Sequence, residues 1–487
     1  MSDNPLYKAK QAKLNSLAQQ GIDPYPARFS ITNHAQNLQD RFRDLADDTP
    51  AHHTAAIAGR VMAVRNKNMF IDLHDGSGKM QVFCPQQSIK GKSAIVHEHI
   101  DIGDIIGVRG PLRRTRRGEL TLDAQDLVML SKSLQPLPEK YHGLSDTEMR
   151  FRQRYIDWIM DPARRALFYT RARVIQAMRD HLCEKGFLEV ETPMLQPIAG
   201  GATARPFITY HNALDTDLYL RVAPELYLKK MIVGGFDRVF EINRCFRNEG
   251  LSTKHNPEFT SLEVYQSYTD YRGMIDLAEA LLVAAAHAAL GKNLIAQIGD
   301  HAIDFTPPYA CGSMLEFIKK TCDVDFAELD EAQARAQAEK MKVPLTGREP
   351  WGKIVEAVFG EHVEPTLINP THVTDFPKDV SPLARTHLDD PRLTERFETY
   401  INGWEVANAF SELTDPGEQR RRFAQQASER DKGDTEAQVL DEDFIIALEH
   451  GLPPTGGLGI GIDRLMMILT GQTAIREVIA FPTLRPK

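Results

Sequence analysis

A chain of 487 residues is too long for one ordinary domain and sets an expectation of two or three. Its 42% hydrophobic and 26% charged residues suit well-cored soluble domains, and a net charge of −9 excludes nucleic-acid binding that rests on overall charge; such a partner would need local patches. Five cysteines without a CxxC pair argue against a disulfide framework or zinc ribbon, and the sequence shows neither an apolar leader core nor a run of eighteen apolar residues, so a cytoplasmic protein with no membrane partner is expected.

Residues 1–50 read as an N-terminal helical extension, with a helix near Leu6–Gln20 that Gly21, Pro24 and Pro26 end. Over 51–135 the texture changes. Ile57–Val64, Phe70–His74, Lys79–Phe83, Ile105–Pro111 and Glu119–Leu130 predict five short strands, separated by turns such as Asp75-Gly76-Ser77-Gly78 and Arg117-Gly118. Strands that short and that closely spaced point to a small barrel of the OB-fold type. Residues 136–160 read as a linker opening on Pro136-Leu-Pro-Glu-Lys140, and 161–487 as a mixed α/β domain. There Asp161 caps a helix that Pro162 starts and Gly186 closes. Strands near 237–247 and 260–268, a helix over Arg272–Leu290, a helical segment at 310–360 and strands at 366–376 follow. A hairpin near 394–413, a helix near 416–431 and a Gly-rich strand running into a last helix complete the chain.

The common nucleotide signatures are missing. Gly91-Lys92-Ser93 lacks a glycine five positions earlier, where Gln86 stands, so it is no Walker A loop; there is no GxGxxG after a strand and no HExxH. His97-Glu98-His99 and His52-His53 lack metal-ligand spacing and read as loop histidines.

Three constellations carry chemistry. In the first, period-two alternation puts Glu241, Asn243, Cys245 and Arg247 on one face of a strand, and Glu263 and Tyr265 on one face of the next. Such a face is a poor apolar core, since unpaired buried charge is costly; it suits either a polar site or a solvated surface laced with salt bridges. In the second, Asn402-Gly403 is a strong hairpin signal, and a regular hairpin about it sets Tyr400 opposite Glu405 and Glu398 opposite Ala407. Glu398 and Glu405, close together and with no evident Lys or Arg partner, would either point to solvent or hold a hard cation such as Mg²⁺ shared with phosphates. In the third, Gly457, Gly459 and Gly461 clear one face of a strand, allowing either a flat ligand or a closely packed helix. Arg464 then sits at a helix N-terminus, against the dipole, which suggests an anionic ligand.

Taken together, these regions resemble the three signature motifs of class II aminoacyl-tRNA synthetases. Gly186-Phe-Leu-Glu-Val-Glu-Thr-Pro193 resembles motif 1, Phe246-Arg247-Asn248-Glu249 motif 2, and Gly459-Ile-Gly461-Ile-Asp463-Arg464 motif 3. The match is closer still to the lysyl-tRNA synthetase (lysine–tRNA ligase) family, through Arg221-Val-Ala-Pro-Glu225-Leu-Tyr-Leu-Lys229, His255-Asn256-Pro257-Glu258-Phe259-Thr and Asn408-Ala-Phe410-Ser411-Glu412. The resemblance implies an α+β protein: an N-terminal OB-fold β-barrel that binds the anticodon, then a class II catalytic domain whose antiparallel sheet is flanked by helices. It implies ATP-dependent activation of L-lysine to lysyl-adenylate, with pyrophosphate release, then transfer of lysine to the 3′-terminal ribose of tRNA(Lys). Arg247 and Arg464 would be the catalytic cations. Arg247, Glu249, His255, Phe259, Glu398 and Arg464 would seat ATP, with Glu398 and Glu405 on Mg²⁺. Lysine would lie among Gly201, Glu225, Glu263, Tyr265, Asn408 and Glu412. In the barrel, Phe70, Gln81 and Glu119 match anticodon-reading positions, beside a basic cluster of Arg109, Arg113, Arg114, Arg116 and Arg117. The family forms a homodimer through motif 1.

This sequence departs from the pattern in places: Trp404 stands for a usual Arg, Ala409 for Gly and Ala199 for Pro, and the loop before Phe70 is short. Strict alternation also sets Asn408 and Glu412 on the opposite face from Glu405, which a bulge near Ala407–Ala409 would repair. The rival readings are an aspartate or asparagine enzyme of the same class, a truncated paralogue and a non-catalytic RNA-binding protein. An acidic substrate would want a cationic pocket rather than Glu263 and Glu412, the truncated paralogue lacks a barrel, and a protein without activity should have lost Arg247, Glu405 or Arg464.

Overall fold

The computed structural model describes residues 4–138, 146–198, 200–202, 204–431 and 440–486. Contacts divide the chain into two units, Met1–Ser145 and Asp146–Lys487.

In the first unit the described residues form six strands, ordered so that Pro50–Arg65 pairs with both Phe70–His74 and Ile105–Arg114 and the sheet closes. Alternation drives the closure: Val61, Ile71, Leu73, Met80, Val82, Ile106, Val108 and Leu122 all point into one buried core. The expected fifth strand is in fact two, Leu120–Asp123 and Asp126–Ser131. The break has a physical cause. Ala124 donates to the Phe83 carbonyl and Gln125 to that of Arg109, turning the chain at a corner where a Cβ on Gly110 would collide with the Asp123 carbonyl. Nor is the N-terminal segment a mere extension. Its helices Pro5–Gln19 and Ala35–Arg41 bring Leu17, Ala35 and Leu38 into the barrel core.

In the second unit an eight-stranded sheet carries six consecutive antiparallel strands: Thr371–Thr374, Arg396–Ile401, Trp404–Ser411, Thr455–Gly461, Glu258–Ser267 and Arg238–Phe246. Register makes its two faces opposite in character. Phe240, Val264, Leu458, Ala409 and Phe397 line up across five strands in one apolar row. The helices Pro162–Glu184 and Tyr271–Leu290 share its core. The second of these is apolar and long enough to cross a membrane, but Ala278, Leu281, Leu282 and Ala285 are fully buried in that core. One residue along each strand, Glu241, Glu263, Gly459, Asn408 and Glu398 form the adjacent row on the other face.

Residues 147–160, expected to be linker, instead form the helices Thr147–Arg152 and Arg154–Met160. They are fixed by charge: Arg154, buried, holds Asp157 at 2.9 Å, and Arg150 holds Glu477 at 2.9 Å. The 310–360 segment resolves into three helices, Met314–Cys322, Glu331–Lys340 and Trp351–His362, with a core of their own.

Candidate active site

The middle of the polar row, Glu263, Gly459 and Asn408, floors a cleft of about 1190 Å³, counted to its open mouth. Nearly every candidate residue of the second unit lines it: Gly201, Glu225, Arg247, Glu249, His255, Phe259, Glu263, Tyr265, Glu405, Asn408 and Arg464. The hairpin differs from the regular one expected. Val406 is bulged, so Ala407 lies opposite Thr399 and Glu398 faces Asn408 rather than Ala407. This bulge sits one residue before the region where alternation called for one, and it brings Glu398, Tyr400, Glu405 and Asn408 to the same face. Ala409 thereby lies in the apolar row, fully buried, where its methyl group cannot narrow the cleft.

The two hairpin carboxylates have cationic partners after all. Arg396 reaches Glu398 at 2.5 Å, and Arg464 reaches Glu405 at 3.2 Å. Burial, with Glu405 nearby, still raises the Glu398 carboxyl to about 7, the mark of a carboxylate that an added cation would stabilise. Arg396 also donates to the Asn408 side-chain oxygen at 3.0 Å, so one guanidinium fixes two members of the row.

At the other side of the cleft the cations dominate. Arg464 donates to His255 Nε2 at 3.1 Å, and His255 Nδ1 meets Ser252 Oγ at 2.8 Å, which assigns the proton to Nδ1. Burial and then Arg464 hold the His255 pKa below its ordinary value, so this ring is neutral. Arg247 lies 5.1 Å over the Phe259 ring, and its buried Nε has no partner among the described residues. An orphaned guanidinium donor in a cleft is an anion site awaiting its anion.

The opposite end is acidic and deep, with Glu225 and Glu263 in its lining and Glu412 just behind Gly457. Glu412 is 1% exposed, Glu225 6% and Glu263 9%. Burial and then the Glu225 charge push the Glu263 carboxyl up to about 8. Tyr265 donates to Glu263 at 3.3 Å. Of the strand glycines 457, 459 and 461, only Gly457 is crowded by the chain itself: a Cβ there would collide with Glu412 Oε1 and the Tyr265 ring. At Gly459 and Gly461 a Cβ would fit among its neighbours but would stand in the cleft.

A family model described as "tRNA synthetases class II (D, K and N)" matches residues 146–485, and one described as "OB-fold nucleic acid binding domain" matches 55–130. A lysine–tRNA ligase of Carboxydothermus hydrogenoformans is 52% identical over 99% of both chains. Those of Moorella thermoacetica and Rhizobium meliloti are 49% and 48% identical, over 100% and 99% of this chain and 99% and 97% of theirs. The chain belongs to the class II lysine–tRNA ligase family.

Within that family frame the structure adds residues that motif reading passed over. Lys229 is buried between Glu225 and Glu412, and Arg396 organises the hairpin. Lys254 lies 5.2 Å over the ring of Trp404, the residue that departs from the family's usual Arg. Lys229 stands in the quoted Arg221–Lys229 motif, four residues after Glu225 on one helix, Glu225–Val233. That spacing was the available signal. Ala199 lies outside the described residues.

In the barrel, register puts Phe70 opposite Phe83, Asp72 opposite Gln81 and Gln81 beside Thr121. Phe70, Gln81 and Glu119 therefore share one face, with the Phe70 and Phe83 rings 5.0 Å apart. Arg65 joins them, bound to Asp72 and donating to Gln81 at 3.1 Å. The basic cluster is less free than the sequence suggested. Arg113 pairs with Asp123 at 2.8 Å, and Arg114 donates to the Gly118 and Phe42 carbonyls. Arg109, Arg116 and Arg117 are the exposed members, with Arg109 3.7 Å from Asp126 and Arg116 donating to Asp48 at 3.1 Å.

Proposed function

We infer that the chain activates L-lysine with ATP and transfers it to tRNA(Lys), and that the cleft residues divide the work by charge. The acidic end carries this reading, because a substrate with two ammonium groups needs buried carboxylates. Glu225, with the Gly201 carbonyl, takes the α-ammonium; Glu412, near Tyr265 and Glu263, takes the ε-ammonium. An aspartate or asparagine substrate would leave these acids unpaired at a cost of several kcal/mol.

Arg247 and Asn408 receive the lysine carboxylate, and Arg247 also neutralises the α-phosphate through its free donor. Phe259 has one face taken by the Arg247 guanidinium and offers the other to adenine, with Glu249 and His255 beside it. Neutral His255 passes no charge to the triphosphate; it holds Arg464 where the γ-phosphate arrives. Glu398 and Glu405 fit Mg²⁺: two carboxylates on one face, one of them raised in pKa by burial and then by the other, would hold the ion, which would supply charge neutralisation for the phosphates. The lysine carboxylate attacks the α-phosphorus in line and pyrophosphate leaves. The terminal ribose hydroxyl of the tRNA then attacks the adenylate carbonyl and AMP leaves. No protein nucleophile is needed; positioning and charge suffice.

The barrel face of Phe70, Gln81, Glu119 and Arg65 receives unpaired anticodon bases, by stacking and edge contacts. A homodimer agrees with the exposed apolar side chains Leu188, Leu195, Ile208 and Leu214 near motif 1. Five free cysteines suit a reducing cytoplasm. The test is amino-acid-dependent exchange of pyrophosphate into ATP, run with each amino acid singly. Exchange with lysine alone is expected, and Glu412→Gln should lower kcat/KM for lysine about 100-fold or more by leaving one ammonium unpaired. Exchange with another amino acid, or an unaffected variant, sinks the reading.

A further inference from the structure

Lys229 places its side chain between two acids of the pocket, Glu225 and Glu412. It is 1% exposed. Its ammonium bonds Glu225 Oε1 at 2.5 Å and touches Glu412 Oε2. The rings of Phe410 and Phe444 flank it at 5.4 and 5.9 Å. Burial works against this ammonium, but Glu225 and Glu412 together outweigh it and hold its pKa above the ordinary value. Lys229 is therefore charged throughout the working range.

The contacts divide Glu412 in two. Oε2 faces Lys229, while Oε1 lies under Gly457, on the side where a Cβ of that cleft-lining residue would point. Among the described residues neither oxygen accepts a well-aligned hydrogen bond. A fully buried carboxylate left with open acceptor capacity is one that a ligand completes. Glu225 is divided likewise, with Oε1 committed to Lys229. Lys229 is the cation in direct contact with Glu225 and Glu412, while Arg396 acts on Glu225, and Arg221 and Arg247 on Glu263, from farther away.

We propose that Lys229 is a specificity-determining positioning residue: one ammonium clamps Glu225 and Glu412 at a fixed separation, so that the pocket measures the distance between the α- and ε-ammonium groups of its substrate. The clamp rests on the assignment of Glu225 and Glu412 to lysine made above. It goes beyond that assignment by making their spacing, and not their charge alone, the selective feature. Ornithine, shorter by one methylene, reaches only one of the two carboxylates at full strength. Without the clamp the two acids move independently, and the ruler is lost.

The test uses the full-length enzyme in pyrophosphate exchange, with lysine and with ornithine, for wild type, Lys229→Met, Lys229→Arg, Glu412→Gln and the Lys229→Met/Glu412→Gln double variant. Lys229→Met is expected to raise the lysine KM at least tenfold, leave kcat and the ATP KM within about threefold, and cut the lysine-over-ornithine preference at least fivefold. In the double variant Lys229→Met should add less than threefold to the loss from Glu412→Gln, because it acts through that carboxylate. A lysine KM and preference unchanged by Lys229→Met, additive losses, or ATP and lysine KM values rising together would overturn the clamp. Should Lys229→Met fail to fold, Lys229→Arg decides. It keeps the charge but changes the spacing, so an unchanged ornithine preference refutes the ruler and a reduced one supports it. Glu412→Gln by itself reports on the underlying assignment: if it leaves the lysine KM alone, the assignment fails whatever Lys229 does.

Discussion

The two ends of the cleft solve opposite problems. At the acidic end Glu412, Glu225 and Lys229 are almost wholly buried and already partly neutralised by one another. At the cationic end Arg464 and Glu405 keep 25% and 41% of their side chains exposed, and Arg247 keeps a donor unpaired. A small ligand can be enclosed, so its charges can be read by buried groups, where mismatches are costly. A triphosphate must enter and its pyrophosphate must leave, so its cations stay near the mouth. The buried end should govern which amino acid is chosen, and the open end how fast it is activated.

Arg247→Ala should separate these roles most sharply. It removes the donor proposed to meet both the carboxylate and the α-phosphate, and a fall in kcat of about 100- to 1000-fold is expected. Single-turnover adenylate formation checks it. A change confined to the lysine KM would show that Arg247 belongs to the selective end alone.

Gly457→Ala attacks the other end by volume. Its methyl collides with Glu412 Oε1 and the Tyr265 ring, so the lysine KM should rise on the order of 10- to 100-fold while the ATP KM holds, corresponding to the 1–3 kcal/mol typical of overpacking. Gly459→Ala meets no close neighbour within the chain, and its methyl reaches only ligand space. Loss of stability in Gly459→Ala equal to that in Gly457→Ala, read by thermal melting, would break the distinction.

How much of this was legible beforehand follows from what alternation can and cannot encode. Period two placed Glu241 with Cys245, and Glu263 with Tyr265, correctly, because those strands run without interruption. It misplaced Glu398 against Ala407, because a bulge at Val406 leaves no mark on polarity: valine suits a strand whether paired or not. The barrel's corner at Ala124–Gln125 was invisible for a similar reason, being made by backbone hydrogen bonds to Phe83 and Arg109. Lys229 was hidden by its type. A lysine in an amphipathic helix reads as solvent-facing; the four-residue spacing pointed to Glu225, but only the fold shows Glu412 on its other side. The resemblance supplied roles for motif residues, but it was silent on Arg396, whose hold on both Glu398 and Asn408 depends on the register that the bulge creates.

The barrel offers a milder contrast with the cleft, since its candidate face is half-buried at Phe70 and Gln81 and exposed at Arg65 and Glu119, and the contact proposed there is sequence-tolerant stacking. Phe70→Ala should raise the KM for tRNA about tenfold, consistent with the 1–3 kcal/mol of one stacked base, and leave pyrophosphate exchange untouched. If exchange fell as well, the anticodon assignment of this face would be wrong.

The smallest expected signal is less than one proton. With its carboxyl raised to about 8, chiefly by burial, Glu263 is mostly protonated in the empty cleft at pH 7. Lysine brings a cation that favours the ionised form, so binding should lower this pKa and expel the proton. The sign follows from linkage: a complex that holds fewer protons than the free enzyme is strengthened as pH rises, so lysine affinity should increase from pH 6.5 towards 8 and level off once Glu263 is ionised beforehand. Calorimetric titration with lysine at pH 7, in buffers of different ionisation enthalpy, gives the proton count as a slope. In Glu263→Gln that slope should fall by roughly one proton at most, while the pH dependence of affinity flattens. An unchanged slope would place the titrating group elsewhere in the acid cluster and leave Glu263 a fixed hydrogen-bond partner of Tyr265.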